Sequence, residues 1–397
     1  MLKFALKNMG IKKVQIILIV ISIVISASVG VLAYNIASQV DDGITENAGY
    51  YSMIIGPAGS KTQLAMNTMY FTDSPLGTIP YSIVTSLKAE TEKVSQVIPF
   101  AMADNYNSSK VVGTTSAFLN GKELLDGAMF KDGEEGSVVV GYSVAKDNGL
   151  KIGDTIYTSH SASGNDKHSE GLTVVGILEE SYTVYDKVVF TQIESLWHMH
   201  DHGEHTEGEH EHEHKTVCAI LVSAKNPTYA MQLTNEYDGK IISHSEETFT
   251  LQAIEPMSVV RDVLDDADNT KYIVFVLCAI ILIMNIMVIS IITLLNMYHS
   301  KKEISLMRLI GISMKKINLL YMIQNSIIGL VSTIVAFLVS RLCLALAGDY
   351  VSTMGVVLNL TRVYPVEIVI LVGIFLISVI PTIICTFVMA KQDSLAE

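Results

Sequence analysis

Four apolar segments in a 1 + 3 arrangement constrain the fold of this 397-residue chain more than any other feature. The first lies at 14–36, and the other three lie in the last third, at 271–298, 317–346 and 366–389. Each has the roughly 20 residues that an α-helix needs to cross a hydrocarbon core about 30 Å thick. The first segment is also longer than the apolar core of a signal peptide, which has about 7–15 residues. The sequence therefore predicts an integral membrane protein with four transmembrane α-helices, the first of them an uncleaved anchor.

The distribution of Lys and Arg predicts the orientation, because basic flanking residues stay on the cytoplasmic side of a membrane. They cluster in residues 1–13 and in the loop 299–316. Both stretches are therefore predicted to be cytoplasmic, and so is the tail 390–397. The long segment 37–270 and the short loop 347–365 are predicted to lie outside a bacterial cell membrane.

The external segment 37–270 is strongly acidic, with 14 Lys and Arg against 35 Asp and Glu. This charge excludes nucleic acid as a partner. Apolar alternation predicts strands, and helical spacing predicts stalk helices at 37–48 and 254–270, so the fold class is an extracytoplasmic α+β domain on a helical stalk. Strands are predicted at 110–115, 136–141, 172–178, 183–191 and 217–223, and helices at 61–69, 79–87 and 227–237. No nucleophile elbow or phosphate loop occurs, so we expect a non-catalytic subunit.

Two segments carry a resemblance to a known family. Residues 301–313 (KKEISLMRLIGIS) resemble the R-x-E-I-x-x-L-R-x-x-G segment of the permease subunits of FtsX/MacB/LolC-type ABC transporters. The C-terminal stretch from Pro381 to Leu395 resembles the closing P…A-x-x-x-D-P-x-x-x-L of that family, with Ser394 in place of the usual Pro. These permeases share the 1 + 3 layout, so the resemblance covers essentially the whole chain.

The resemblance implies that the chain works by mechanotransmission. A separate cytoplasmic ABC ATPase would hydrolyse ATP, and a homodimer of this chain would relay the motion to its outer domain to export or mobilise a substrate. An extracytoplasmic adaptor or substrate-delivery protein is a further partner that the family implies. The coupling segment would contact the ATPase through Lys302, Glu303, Ile304, Leu306, Arg308, Leu309 and Gly311. Its apolar residues independently indicate docking, because they need a membrane surface or a partner protein to cover them.

The densest local signal is the histidine-rich segment 198–214, which holds seven of the eleven histidines. They are His198, His200, His202, His205, His210, His212 and His214. Neutral imidazoles in H-x-H spacing are typical ligands of Zn²⁺, Cu²⁺ and Ni²⁺, and the interleaved glutamates favour a dication. His160 and His168 flank a predicted hairpin turn and are candidates for the same site. We therefore predict metal binding, most simply of Zn²⁺, outside the membrane.

Two further functions stay open at this point. An FtsX-type regulator would activate an external partner without transport, and an external metal sensor would need no ATPase. A hydrophilic path through the membrane is not indicated, because Arg341 and Glu367 lie near the ends of predicted spans, where snorkelling to the interface is expected.

Overall fold

The computed structural model describes residues 9–10, 13–48, 51–160, 168–201, 215–244, 247–262, 301–352 and 356–393, together with scattered positions between 276 and 291. The chain divides into two units. We call Met1–Gln39, Ala267–Gly348 and Leu358–Glu397 the membrane unit, and Val40–Asp266 with Asp349–Val357 the outer unit.

The described elements alternate in type through the outer unit and are all helical in the membrane unit. The helices are α1 Lys13–Ala48, α2 Lys61–Tyr70, α3 Ser82–Ala89, α4 Tyr142–Asn148, α5 Ile193–Asp201, α6 Pro227–Tyr237, α7 Lys301–Leu309, α8 Met314–Ser352 and α9 Pro365–Asp393. The strands are β1 Met53–Pro57, β2 Ile79–Pro80, β3 Val94–Tyr106, β4 Ser109–Thr114, β5 Leu124–Gly127, β6 Ser137–Val140, β7 Thr155–Ile156, β8 Leu172–Leu178, β9 Val188–Gln192, β10 Thr216–Val217, β11 Ala219–Ala224, β12 Ile241–His244 and β13 Glu247–Ile254.

One large mixed sheet organises the outer unit. Its order is β12-β13-β1-β11-β3-β4-β9-β6-β8-β5, and β7 pairs with β8 beside this path. Most neighbours are antiparallel, while β4 pairs with β9 and β6 pairs with β8 in parallel. The central strands carry Val, Ile and Phe on both faces and are almost wholly buried, as expected where helices or loops cover the two faces of a sheet. The outer unit is therefore an α+β domain.

The predicted strands and helices of the outer unit agree with the structure within a few residues, with two differences. The predicted helix 79–87 divides into β2 and α3, and the predicted strand 183–191 begins with a 3₁₀ turn, Val184–Lys187. The sequence did not predict β3, the longest strand. Its Pro99 argues against a central strand, because proline cannot donate a ladder hydrogen bond. Here the Pro99 carbonyl accepts a hydrogen bond from the Thr114 hydroxyl at 2.9 Å.

The described residues include two helical segments long and apolar enough to cross a membrane, Lys13–Gly43 and Leu319–Gly348, and a shorter apolar one, Pro365–Ile380. Their shared core includes Ile19, Ile23 and Ala27 of α1, which pack with Ile328 of α8 and Ile374 of α9. The helix of α1 continues without a break into the first predicted stalk, 37–48. Most of the predicted span 271–298, and the end of the second predicted stalk, lie outside the described residues.

The membrane unit also corrects the snorkelling prediction for Glu367. Its side chain is fully buried and forms an ion pair with Arg341, and it accepts a hydrogen bond from the side-chain amide of Asn35 at 2.5 Å. Gln39 extends the network by donating to the Asn35 side-chain oxygen at 2.6 Å. A buried carboxylate needs such partners because desolvation of an unpaired charge is costly. Glu367 therefore ties α1 and α8 to the start of α9 and does not reach out to water.

Candidate metal centre

A buried carboxylate in the middle of the large sheet forms the bottom of the candidate site. Asp104 follows the apolar run 97–103 in β3, and its side chain is completely buried. The pairing of β3 with β4 shifts register between Met102 and Asp104, which marks a β-bulge. Bulges redirect side chains relative to a regular strand. The Thr158 hydroxyl donates to the Asp104 carboxylate at 3.3 Å.

Three imidazoles converge on this carboxylate. His160 Nδ1 lies 3.2 Å and His168 Nε2 also 3.2 Å from Asp104 oxygen atoms, and His200 Nε2 lies 3.5 Å from Oδ2. The imidazole ring centroids are 4.6, 5.0 and 5.1 Å apart. One potential ligand atom from each of the four residues lies within 4.8 Å of all the others. We call Asp104, His160, His168 and His200 the four-residue centre.

Backbone pairing holds His160 and His168 in place. The amides and carbonyls of Asn105 and Ser159 exchange two hydrogen bonds, of 2.8 and 2.9 Å, which join the chain before His160 to β3. The Asn105 side chain also donates to the His160 carbonyl at 3.2 Å. At the other end of the segment 161–167, the His168 amide donates to the Thr158 carbonyl at 2.9 Å. Both histidines are therefore fixed next to Asp104 by local backbone contacts.

Helix α5 supplies the third imidazole. His200 lies in its last turn, and the apolar face of the helix, including Leu196 and Met199, is buried against β3, β4 and β9. The helix approaches β4 very closely at Gly113, where an added Cβ would lie 2.4 Å from Leu196 Cδ1. On the same helix, the Trp197 indole donates to the Thr216 carbonyl at 2.8 Å. Close packing on both sides thus sets the position of His200.

The electrostatics of the centre favour a charged carboxylate. Burial raises the pKa of Asp104, but hydrogen bonding and the charges of His200 and His168 outweigh burial, so its pKa lies below the usual value. A carboxylate and three imidazoles form an oxygen–nitrogen donor set that suits Zn²⁺, Cu²⁺ or Ni²⁺ better than Mg²⁺ or Ca²⁺, which prefer oxygen ligands.

The observed spacing can be tested against such an ion. Ligands about 2.0–2.1 Å from a tetrahedral Zn²⁺ lie about 3.3 Å from one another. The nitrogen–oxygen separations of 3.2 to 3.5 Å already have this value, with His160 measured to one Asp104 oxygen and His168 and His200 to the other. The wider separations, up to 4.8 Å, would close by rotation of imidazoles such as the half-exposed His160. The residues present therefore fit a zinc-class ion.

The comparisons with known proteins cover both units. The profile of the MacB-like periplasmic core domain matches residues 15–237, and that of the FtsX-like permease C-terminal region matches residues 272–393. The chain belongs to the FtsX/MacB-like ABC permease family. It is a membrane protein with a large extracytoplasmic domain, as the sequence predicts.

One solved structure similar to this permease is the crystal structure of the periplasmic region of MacB from Actinobacillus actinomycetemcomitans. The identity is 13% and the TM-score 0.36, over 55% of this chain and 94% of that chain. The comparison with curated proteins gives no match.

The structure brings together only part of the predicted metal site of the permease. His160, His168 and His200 converge, whereas His198 points to Glu170, with Nδ1 3.1 Å from the carboxylate, and both side chains are about half exposed. The remaining predicted ligands, His202, His205, His210, His212 and His214, lie outside the described residues. Asp104 was not predicted. The available signal was an acidic residue at the end of an apolar run, since a buried charge needs a partner or a metal.

The predicted coupling segment of the permease is helical. The described side chains of α7 and the turn after it divide into two sets: Met307 and Ile312 pack against Ile317 and Tyr321 of α8, whereas other apolar residues face outward. The outward residues are Leu306, Leu309 and Ile310, which are 59%, 81% and 79% exposed. Gly311, at φ +90°, ends the helix in a left-handed conformation that glycine adopts readily. The side chains of Lys302, Glu303 and Ile304 lie outside the described part of the chain.

Proposed function

We propose that this chain is the permease subunit of an ABC-type complex that relays ATP-driven motion from a cytoplasmic ATPase to its outer unit, and so exports or mobilises a substrate in a zinc-linked context. A homodimer with two ATPase copies is the expected assembly, with four spans per chain and both termini in the cytoplasm. The family membership supports the permease role, and the four-residue centre supports the link to metal.

The outward apolar residues at the end of α7 and in the turn after it are the observation that carries the coupling role. Leu309 and Ile310 are the most exposed large apolar side chains among the described residues. An exposed apolar pair on a short amphipathic helix is a typical docking site for a partner protein. The packing of Met307 against α8 gives a rigid connection, through which displacement of α7 would be passed to a helix long enough to cross the membrane.

The test is to purify the full chain from its native membrane and to measure the co-purifying ATPase and its activity. Leu309→Ser should reduce both. Leu125→Ser is the matched control, because Leu125 is 58% exposed but lies in β5 of the outer unit. Absence of an ATPase, or equal effects of the two substitutions, would contradict the proposal.

Of the alternatives, a metal sensor without ATP coupling has one observation in its favour, the four-residue centre. That alternative gives no role to the exposed face of α7. It predicts that Leu309→Ser leaves every activity of the protein unchanged, so the same experiment separates the two functions.

A further inference from the structure

We propose that Asp104, His160, His168 and His200 hold one resident divalent cation of the zinc class, and that this ion regulates the permease and is not its cargo. The inference rests on the proposed function and specifies the role of the metal in it.

The first argument is the number of protein ligands. In structural zinc sites the protein supplies all four ligands of a tetrahedral ion, whereas sites that exchange ligands keep an open position. The four-residue centre offers four donors from the protein itself. An ion bound by all of them has no free position for a ligand that would carry it away, so it is retained.

The second argument is the gradient of exposure across the centre. The side chain of Asp104 is 0% exposed and that of His168 12%, while those of His200 and His160 are 34% and 55% exposed. An ion therefore enters from the solvent side and meets the buried, negatively charged carboxylate of Asp104. This geometry suits an ion that is taken up from the external medium and then held.

The third argument is what the ion would connect. Its ligands come from the bulge of β3, from both ends of the segment 161–167 and from the last turn of α5. Strand β3 lies between β11 and β4 in the large sheet, and α5 packs across β3, β4 and β9. A ligand that binds one arrangement of these parts more tightly shifts the population toward it. Bound metal would thus favour the conformation of the outer unit in which the three imidazoles converge.

The binding test uses the full chain in detergent, titrated with Zn²⁺ against a chromophoric chelator, and with Co²⁺ as a spectroscopic probe of tetrahedral coordination. Wild type should bind one ion tightly per chain. Asp104→Asn, which keeps the shape of the side chain, should lower that affinity by at least 10- to 100-fold, since loss of even an outer-shell partner has an effect of this size. His168→Asn should act in the same way.

Two variants separate this centre from the other histidines. His198→Asn is the matched control, because His198 lies on the same helix two residues from His200 but pairs with Glu170. Deletion of 202–214 removes five histidines and leaves His200 in place. Both variants should still bind one Zn²⁺ tightly and show the tetrahedral Co²⁺ spectrum. Tight binding of Zn²⁺ by Asp104→Asn, or its loss on deletion of 202–214, would overturn the assignment.

The regulatory role is tested with the chain and its ATPase in proteoliposomes. Zn²⁺ should change the ATPase rate of wild type and of His198→Asn, and this response should be absent in Asp104→Asn. A zinc-sensitive dye on the opposite side should record no ATP-dependent zinc movement. Zinc movement that requires Asp104 would make the ion a cargo, and an ATPase rate indifferent to Zn²⁺ would remove the regulatory role.

The outcomes also separate this inference from the proposed function. If no ATPase associates with the chain, the permease function fails while the binding result still decides whether the centre exists. If the ATPase associates and is coupled, but zinc neither binds at Asp104 nor changes the rate, the present inference and the zinc link fail while the permease role stands.

Discussion

Replacement of Asp104 by Asn should abolish the stabilisation of the outer unit by zinc. The substitution preserves the volume of a fully buried side chain and removes its negative charge. It also changes the hydrogen bonds to His168 and His200 in the metal-free protein. For this reason the informative quantity is the difference in melting temperature with and without metal, and not the melting temperature itself.

The size of that difference follows from linkage and from the size of the unit. A ligand at 100 times its Kd stabilises the folded state by about 2.7 kcal/mol. The outer unit consists mainly of Val40–Asp266, and for domains of about 150–250 residues each kcal/mol raises Tm by about 2–4 °C. Wild type should therefore gain about 5–11 °C with Zn²⁺, while Asp104→Asn should gain close to none at the same zinc concentration.

The chain provides its own reporter for this assay. Trp197 is the single tryptophan, and it lies on α5 directly after the buried Leu196 and before the half-exposed His198. Its ring makes an edge-to-face contact with Tyr81, with centroids 5.0 Å apart. Its fluorescence during heating therefore follows unfolding of the outer unit and of the helix that carries His200, without interference from the membrane unit.

A full thermal shift in Asp104→Asn would refute the reasoning, because it would place the stabilising ion elsewhere. Loss of the shift in His198→Asn would refute it equally, since that residue lies outside the four-residue centre. Wild type that shows no shift at saturating zinc would mean that the centre binds no zinc-class ion in solution.

Three further outcomes are expected. Glu367→Gln should destabilise the membrane unit by about 3 kcal/mol in detergent denaturation, since it leaves the mostly buried guanidinium of Arg341 without its ion-pair partner. Leu309→Ser should weaken association with the ATPase about tenfold in a binding assay, the effect of losing one apolar anchor. Gly113→Ala should cost about 1–3 kcal/mol and lower zinc affinity severalfold, because the new Cβ displaces α5 at Leu196.

Leu125→Ser is again the control for Leu309→Ser, and each of the other two outcomes has its own. For the ion pair, a double replacement of both partners by Leu should destabilise less than Glu367→Gln alone. For Gly113→Ala the control is Gly30→Ala, because an added Cβ at Gly30 meets open space and the substitution should change neither stability nor zinc affinity. Gly133 is unsuitable, since its φ of +93° would strain any alanine. Unchanged zinc affinity in Gly113→Ala would show that the packing of α5 on β4 does not control zinc binding.

Local patterns explain why much of the outer unit could be predicted. Strand β8 and helix α6 were predicted with the boundaries that the structure shows, Leu172–Leu178 and Pro227–Tyr237. The first is rich in Val, Ile and Leu, and the second begins with Pro after an Asn whose side chain caps the helix. Glu367 was interpreted wrongly because its partners, Asn35 and Arg341, lie 332 and 26 residues away. Position near a span end therefore indicated exposure where tertiary contacts produce burial.

The four-residue centre shows the same limit. Composition identified imidazole as the candidate ligand and directed attention to 198–214, whereas His160 and His168, which precede that segment by about 30–40 residues, were only additional candidates for the same site. Their convergence depends on the bulge in β3, on the parallel pairing of β4 with β9 and on α5 crossing both strands. None of these is a local property, so spacing along the chain could not reveal them. Asp104 combines both difficulties: it lies in a strand that Pro99 obscures, and only the folded sheet places its carboxylate beneath the imidazoles. A dense cluster of histidines in sequence thus indicates a class of candidate ligand, while the fold decides which side chains converge.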